Sequence, residues 1–296
     1  MNQLEDMQIF VGTVDAQSFT AAADKLGLSK QFISRRIMAL EDRLGVRLLN
    51  RTTRKLSITD AGTAYYERAH KIIDEVQEAE QLVSNRNATP RGTLRLSAPM
   101  SFGTLHLGPA IARFMEHYPE VRIELDLSDR FVDIVGEGYD MAIRIGHLGD
   151  SSLIARQIAP AQIVACASPA YLKQRGTPQT PAELKDHDLL LYGHSRNVEW
   201  TFYAQGKALQ VPVKGRLRAN NGELACAAAT AGLGIVLLPT FIVGKALREK
   251  QLVTLLNEWA PLPLTIYAVY PQHRQSSLVV KTLADFLRNA FGKTNF

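Results

Sequence analysis

Leu4, Met7, Phe10, Val11 and Val14 recur three and four residues apart, which predicts a first helix with one apolar face. Ala16-Gln17 breaks the run. Ser18 is placed to cap a second helix, and the small residues of Phe19-Thr20-Ala21-Ala22-Ala23 suit close packing. Leu26-Gly27-Leu28 ends it, the glycine permitting a tight turn between two steeply crossing helices. Ser29 then caps a third helix. Its Ile33, Ile37, Leu40 and Leu44 form one buried stripe, and Gly45 marks the stop. A short hairpin is expected next, with strands Val46-Arg47-Leu48-Leu49 and Lys55-Leu56-Ser57-Ile58 around a polar tip, Asn50-Arg51-Thr52-Thr53-Arg54.

From Gly62 to about Arg86 the pattern reads as one long helix. Tyr65, Ala69, Ile72, Val76, Ala79 and Val83 alternate spacings of four and three, a heptad seam suited to pairing with a second copy. Packing on the helix's own domain is the alternative. Asn87-Ala88-Thr89-Pro90-Arg91-Gly92 breaks the helix. Beyond it, short apolar strands alternate with helices. Thr93–Ala98, Val121–Leu127, Asp140–Arg144, Gln162–Ala167, Ile235–Leu238 and Thr265–Tyr270 read as strands. Leu107–Met115, Glu223–Ala231 and Leu278–Ala290 read as helices. That alternation predicts an α/β domain with ligand sites at the carboxyl ends of its strands.

Composition sharpens the reading at two points. With 296 residues, 46% of them hydrophobic, the chain is long enough for two domains. The net charge of +5 matters through its distribution. Between Lys25 and Lys55 lie Lys25, Lys30, Arg35, Arg36, Arg43, Arg47, Arg51, Arg54 and Lys55, against only Glu41 and Asp42. The preceding stretch carries Glu5, Asp6, Asp15 and Asp24. Positive charge is thus gathered on the third helix and hairpin, as phosphate neutralisation demands. The helix N-terminal residues Ser29, Lys30, Gln31, Phe32, Ser34 and Arg35 are placed to enter a major groove. Arg51, Thr52 and Arg54 are placed to follow the backbone from the hairpin. Arg43 and Arg47, away from that N-terminus, read as structural or backbone contacts.

The residues Phe10-Val11, Ser18-Phe19-Thr20-Ala21-Ala22-Ala23, Leu26, Ser34-Arg35, Ile37, Leu40-Glu41, Leu44-Gly45, Leu48-Leu49, Arg51-Thr52-Thr53-Arg54, Thr59 and Ala61-Gly62 resemble the LysR-type DNA-binding domain position by position. Gly92–Leu96, Phe114–Pro119, Gly138–Arg144, Ala167–Leu172 and Gly232–Pro239 are similar to the LysR effector-binding domain. One departure is Lys30-Gln31-Phe32, where the family often has a glutamine followed by a small residue or proline. It alters base preference, and Phe32 is suited to a thymine methyl. The fold class implied is α+β and multidomain. An N-terminal all-α winged helix-turn-helix occupies residues 1–60, and a dimerising linker helix and hinge occupies 61–90. A C-terminal α/β, two-lobed domain of the periplasmic-binding-protein kind occupies 91–296. Lobe one is expected at 91–161 and 268–296, lobe two at 162–267, with the effector between them.

Strand ends and helix starts nominate Pro99, Met100, Ser101, Phe102, Ser128, Arg144 and Asn221 for effector binding; hydroxyls, an amide and one arginine suit a small carboxylate. Ser101 and Ser128 serve equally well as helix caps, and Arg144 as half of an internal salt bridge. Tyr192 and Trp200 either line the cleft or pack the core. No phosphate loop, metal cluster or nucleophile elbow is present; His106, His117, His147, His187, His194 and His273 are scattered, and no catalytic residue, metal or cofactor is expected. Cys166 and Cys226 read as inert buried thiols, with redox sensing as the alternative. Two cysteines, an acidic N-terminus and the lack of a long apolar run predict a cytoplasmic protein without membrane contact. The expected function is a transcriptional regulator, activator or repressor, whose promoter binding a small-molecule effector modulates. The alternative is an effector-independent regulator whose C-terminal domain only mediates oligomerisation. Expected partners are double-stranded DNA, the effector, further copies forming a homodimer and then a homotetramer, and RNA polymerase.

Overall fold

Three helices form where the apolar stripes predict them: α1 (Gln3–Ala16), α2 (Phe19–Leu26) and α3 (Lys30–Leu44). The computed structural model describes residues 2–51, 56–84, 89–149, 151–193, 198–204, 206–292, 294 and 296, and their side chains except those of 51, 78 and 81–84. It divides into two compact units, Met1–Ala88 and Thr89–Phe296. In the first, Ile9, Phe10, Ala22, Ile33, Ile37 and Leu40 are buried together. Ser18 Oγ accepts from Ala21 N–H and Ser29 Oγ from Phe32 N–H, so the caps of α2 and α3 are those expected. The stripe of α3 stops one residue short: Leu44 is 39% exposed, because it lies in the last turn beyond the helices that cover Leu40.

The hairpin is shorter and later than expected, with β1 (Leu49–Arg51) paired antiparallel to β2 (Leu56–Ile58). Val46 and Arg47 lie outside it because Glu41 claims the approach. Its carboxylate, 2% exposed, accepts from Leu48 N–H at 2.9 Å and Leu49 N–H at 3.1 Å, and pairs with Arg47 at 3.1 Å. Thr59 ties the hairpin to the next helix, its hydroxyl donating to Arg47 O and accepting from Gly62 N–H. A Cβ on Gly62 would sit 2.1 Å from Leu48 O, so only glycine fits there.

The long helix α4 spans Asp60–Ser84. Its seam splits. Tyr65 packs edge-on against Phe10 at 5.4 Å, and Ala69 and Ile73 are buried against the same unit. Ile72, placed in the expected seam, is instead 41% exposed. The true inward stripe steps by four, following the 3.6-residue period toward α1, while the expected seam diverges from it.

The second unit holds two five-stranded sheets. The first lobe contains β3 (Gly92–Ala98), β4 (Val121–Leu127), β5 (Met141–Gly146), β6 (Ile154–Ala161) and β14 (Leu264–Tyr270), ordered β4-β3-β5-β14-β6. The second contains β7 (Ile163–Ala167), β8 (Leu189–Tyr192), β11 (Gly215–Ala219), β12 (Ile235–Pro239) and β13 (Val253–Leu255), ordered β11-β8-β12-β7-β13. A hairpin of β9 (Val198–Ala204) and β10 (Lys207–Val213) joins the second lobe's core through Trp200, Phe202, Val211 and Val213. The chain crosses between lobes twice, after Ala161 and after Leu255. The return differs from expectation: β14 belongs wholly to the first sheet from Leu264, not from 268, since Leu264 already pairs with Ala161.

Of the helices, α5 (Met100–Phe102) runs through a π turn at Gly103–Leu107 into α6 (Gly108–His117), without leaving right-handed helical geometry. α6 and α10 (Leu278–Phe291) cover the first sheet. α7 (Pro169–Arg175), α8 (Gly222–Thr230) and α9 (Thr240–Arg248) belong to the second lobe. The largest cluster of buried residues runs through both lobes, from Leu94 and Phe114 to Val236 and Val243.

Candidate nucleic-acid interface and effector cleft

The basic residues of the first unit separate into two sets. Arg36 turns back onto α1, reaching Asp6 at 2.7 Å and Glu5 at 3.2 Å. Arg43 lies 4.0 Å from Asp6, and Arg47 pairs with Glu41. These arginines hold the unit together. Lys30, Gln31 and Arg35 are exposed on the opposite face of α3, and Lys30 and Arg35 make no ion pair among the described residues. Ser34 is half-buried. Ser29 spends its hydroxyl on the cap, which fixes the helix start. Phe32 is half-buried on the unit's core, with the Arg35 and Arg36 guanidinium carbons 5.8 and 5.9 Å from its ring centroid. Its ring thus lies between the exposed Arg35 and the ion-paired Arg36. Arg51 ends β1, its side chain lying outside the described set, and Thr52 and Arg54 lie outside the described residues.

In the second unit, the segments after β3 and β4 meet the second lobe, at Asn221, Gly222 and Tyr192. Pro99 caps α5 without a side-chain hydrogen bond, and Met100 is 39% exposed at its start. Ser101 is 2% exposed and its Oγ has no partner. Phe102 has no cleft-facing role: at 1% exposure it packs against Phe241 and Phe291, so its large apolar ring is core. Ser128 Oγ accepts from Arg130 N–H, closing the turn after β4. Asn221 caps α8 by accepting from Leu224 N–H at 2.8 Å.

Arg144 is the unusual residue. It is 8% exposed, and no carboxylate pairs with it among the described residues. Its Nη1 donates to Arg130 O at 3.4 Å, the Phe131 ring lies 5.4 Å from its guanidinium carbon, and Nη2 is buried without a partner. Burial, then the neighbouring Arg130 charge, pushes its pKa down. The alternative reading of Arg144, half of an internal salt bridge, is thus not what occupies this side chain. A buried cation lacking an anion is costly unless something supplies one. Phe131 itself is 88% exposed. The crossover that carries it is held by Arg130 gripping Glu137 with both nitrogens, which draws the Glu137 carboxyl down to about 2.

Two groups, Ser97 and Asp129, escaped sequence reasoning, and Tyr192 was read only as cleft lining or core. Ser97 on β3 has a buried, unpartnered hydroxyl; its residue pairs with Ala142, two before Arg144 on the same face of β5. Asp129 accepts from Met100 N–H at 2.9 Å. Tyr192 ends β8, and its hydroxyl is pushed up to about 12 by burial and by the charge and hydrogen bond of Asp129. An acid two residues after a strand end was the available signal for Asp129. Trp200, by contrast, is core. An open hollow of about 520 Å³ lined by Val135, Ser152, Leu153, Pro271, Gln272 and His273 includes none of the effector candidates.

Burial pushes the Cys166 thiol up to about 12, and Cys226 shifts the same way for the same reason. No group of histidines, cysteines and acids suited to a metal occurs among the described residues, and no described helix is long and apolar enough to cross a membrane.

A winged helix-turn-helix followed by a long helix and a two-lobed α/β domain defines a bacterial DNA-binding regulator with a ligand-binding unit. The chain belongs to the LysR family of transcriptional regulators: residues 4–63 match the bacterial regulatory helix-turn-helix model of that family, and residues 87–292 its LysR substrate binding domain. It is 37% identical to an HTH-type transcriptional regulator of Haemophilus influenzae, covering 95% of this chain and 98% of that one. It is 36% identical to the regulator PtxR of Pseudomonas aeruginosa, covering 99% and 94%. The solved structure of CrgA, a LysR-type regulator from Neisseria meningitidis, superposes with a TM-score of 0.62 at 34% identity, covering 96% of this chain and 97% of that one.

Proposed function

We propose that this regulator acts in the cytoplasm on promoter DNA through Ser29, Lys30, Gln31, Phe32, Ser34 and Arg35 of α3, with Arg51, Thr52 and Arg54 along the backbone. α4 pairs two copies through its exposed apolar positions, so that two reading heads address half-sites a helical turn apart. Two dimers form the working tetramer. A small carboxylate held by Arg144, with Ser101, Ser128, Met100, Pro99 and Asn221 around it, favours one lobe arrangement. That shift moves the dimers, and with them the DNA bend and the contact to RNA polymerase.

The observation that carries the carboxylate reading is the buried Arg144 guanidinium with an unpartnered Nη2. A purely oligomerising domain has no use for such a group. For DNA, it is the separation of Lys30 and Arg35 from the arginines spent on internal pairs. The test is fluorescence anisotropy with duplexes selected by genomic footprinting. Arg35→Ala weakens specific binding about tenfold or more, while fold and ligand affinity are kept. Normal operator affinity in that variant removes Arg35 from the interface. Arg144→Gln abolishes carboxylate-induced thermal stabilisation and leaves DNA affinity without effector unchanged; stabilisation that survives in it ends the carboxylate reading.

A further inference from the structure

The helix that opens at Met100 in the first lobe and α8, which opens at Gly222 in the second, meet at their first turns. The Cβ that Gly222 lacks would lie 3.5 Å from Ser101 Oγ, and Asn221 Nδ2 lies 3.5 Å from the Met100 sulfur. Each helix start carries about half a unit of positive charge, so two brought together call for an anion. The chain supplies its own. Asp129 accepts from Met100 N–H at 2.9 Å, and its charge acts on the buried Tyr192 hydroxyl of the second lobe, helping to push that hydroxyl up. Beside it, Ser101 Oγ is buried and unpartnered. One residue along the chain from Asp129, the Arg130 carbonyl holds Arg144. The cleft therefore offers one uncompensated cation and, at the helix starts, a carboxylate already in place.

We infer that Asp129 sets the charge pattern of the effector, which carries a single carboxylate for Arg144 and a hydrogen-bond donor, hydroxyl or ammonium, at its other end. This rests on the carboxylate reading above. A second ligand carboxylate meets the like charge of the half-buried Asp129 at close range and is repelled. A hydroxyl or ammonium donates to Asp129 instead and gives the Ser101 hydroxyl a partner. Asp129 is thus a specificity determinant, held in place by Met100 N–H.

Calorimetric titration of the full chain with butyrate, 4-hydroxybutyrate, 4-aminobutyrate and succinate, and with their five-carbon counterparts, tests this. These ligands differ only at the far end. The hydroxy or amino acid binds about tenfold or more tighter than the dicarboxylate of equal length. Asp129→Asn, which keeps an acceptor for Met100 N–H, removes that discrimination; its melting temperature is measured alongside to verify folding. If succinate or glutarate binds as tightly as its partners, or the ratio survives in Asp129→Asn, the inference fails, and the carboxylate reading stands wherever Arg144→Gln abolishes binding. If no member of the series binds the unmodified chain, both fail together.

Discussion

Glu41 shows how one side chain fixes a local structure. It is an acid in the most basic stretch of the chain, and it is buried because two hairpin amides and Arg47 converge on it. Glu41→Ala leaves the Leu48 and Leu49 N–H groups unpaired and costs about 2–4 kcal/mol, read by urea denaturation. Arg47→Ala costs under about 1 kcal/mol, because Arg47 is 68% exposed and its pair is screened. In the second lobe, His187 titrates with a clear sign. Burial, then the Arg175 charge, hold its pKa below the ordinary 6.5, while the Tyr171 hydroxyl lies 3.1 Å from Nδ1. The native state resists the proton that the unfolded chain accepts. Its stability contribution is therefore complete above pH 6.5 and declines as the pH falls through the depressed native value. Melting temperatures at pH 7.5 and 5.5 should diverge less in His187→Asn than in the unmodified chain. An equal divergence in both would assign the effect to other groups. Cys166, with its thiol near 12, is mostly protonated at pH 8, about one part in ten thousand thiolate, and native protein should leave it unlabelled by iodoacetamide.

At the scale of elements, sequence pattern located helices and caps well and strands less well. The helices α1 to α4 followed from apolar periodicity because each has one face on a core and one in water. The β9–β10 hairpin and β6 went unread, although Val198-Glu199-Trp200-Thr201-Phe202 alternates cleanly; short strands beside helical stretches give few periods to count. The site divides in the same way. Ser18 and Ser29 were legible as caps, since a cap is a local hydrogen bond, whereas Asn221, nominated for effector binding, caps α8. Phe102 was misread as cleft lining, and Asp129 was missed, because both depend on what the opposite lobe brings. The seam of α4 is the element most open to test. Ala69 at 1% exposure packs on α1, whereas Ile72 does not. Ile72→Asp should leave the melting of the first unit within about 0.5 kcal/mol while lowering the dimer fraction in sedimentation equilibrium. Ala69→Asp should instead unfold that unit, because it puts a charge into a packed contact. Dimers that persist in Ile72→Asp would move the pairing surface elsewhere on the chain.

The whole molecule is two units with separate cores, joined through residues 85–88, which lie outside the described set. Separate cores unfold as separate cooperative blocks unless an interface couples them. Scanning calorimetry of the full chain should then show two transitions. The one assigned to residues 1–88 is the one that Ile72→Asp and Glu41→Ala act on. A ligand that binds only the native form of one unit stabilises that block by RT ln(1 + [L]/Kd), about 2.7 kcal/mol at a hundredfold excess over Kd. Operator DNA should therefore raise the transition of the first unit, and a cleft-bound carboxylate that of the second. The DNA effect should fall steeply with salt, since Lys30 and Arg35 act by displacing counterions. The effector step should depend on salt far less, because Arg144 is 8% exposed and its charge is poorly screened. Regulation requires one more feature, that effector alters the DNA-dependent shift of the first transition. If the two shifts are strictly additive at every salt concentration, the units share a chain without sharing free energy, and effector control of DNA binding is excluded even though both ligands bind.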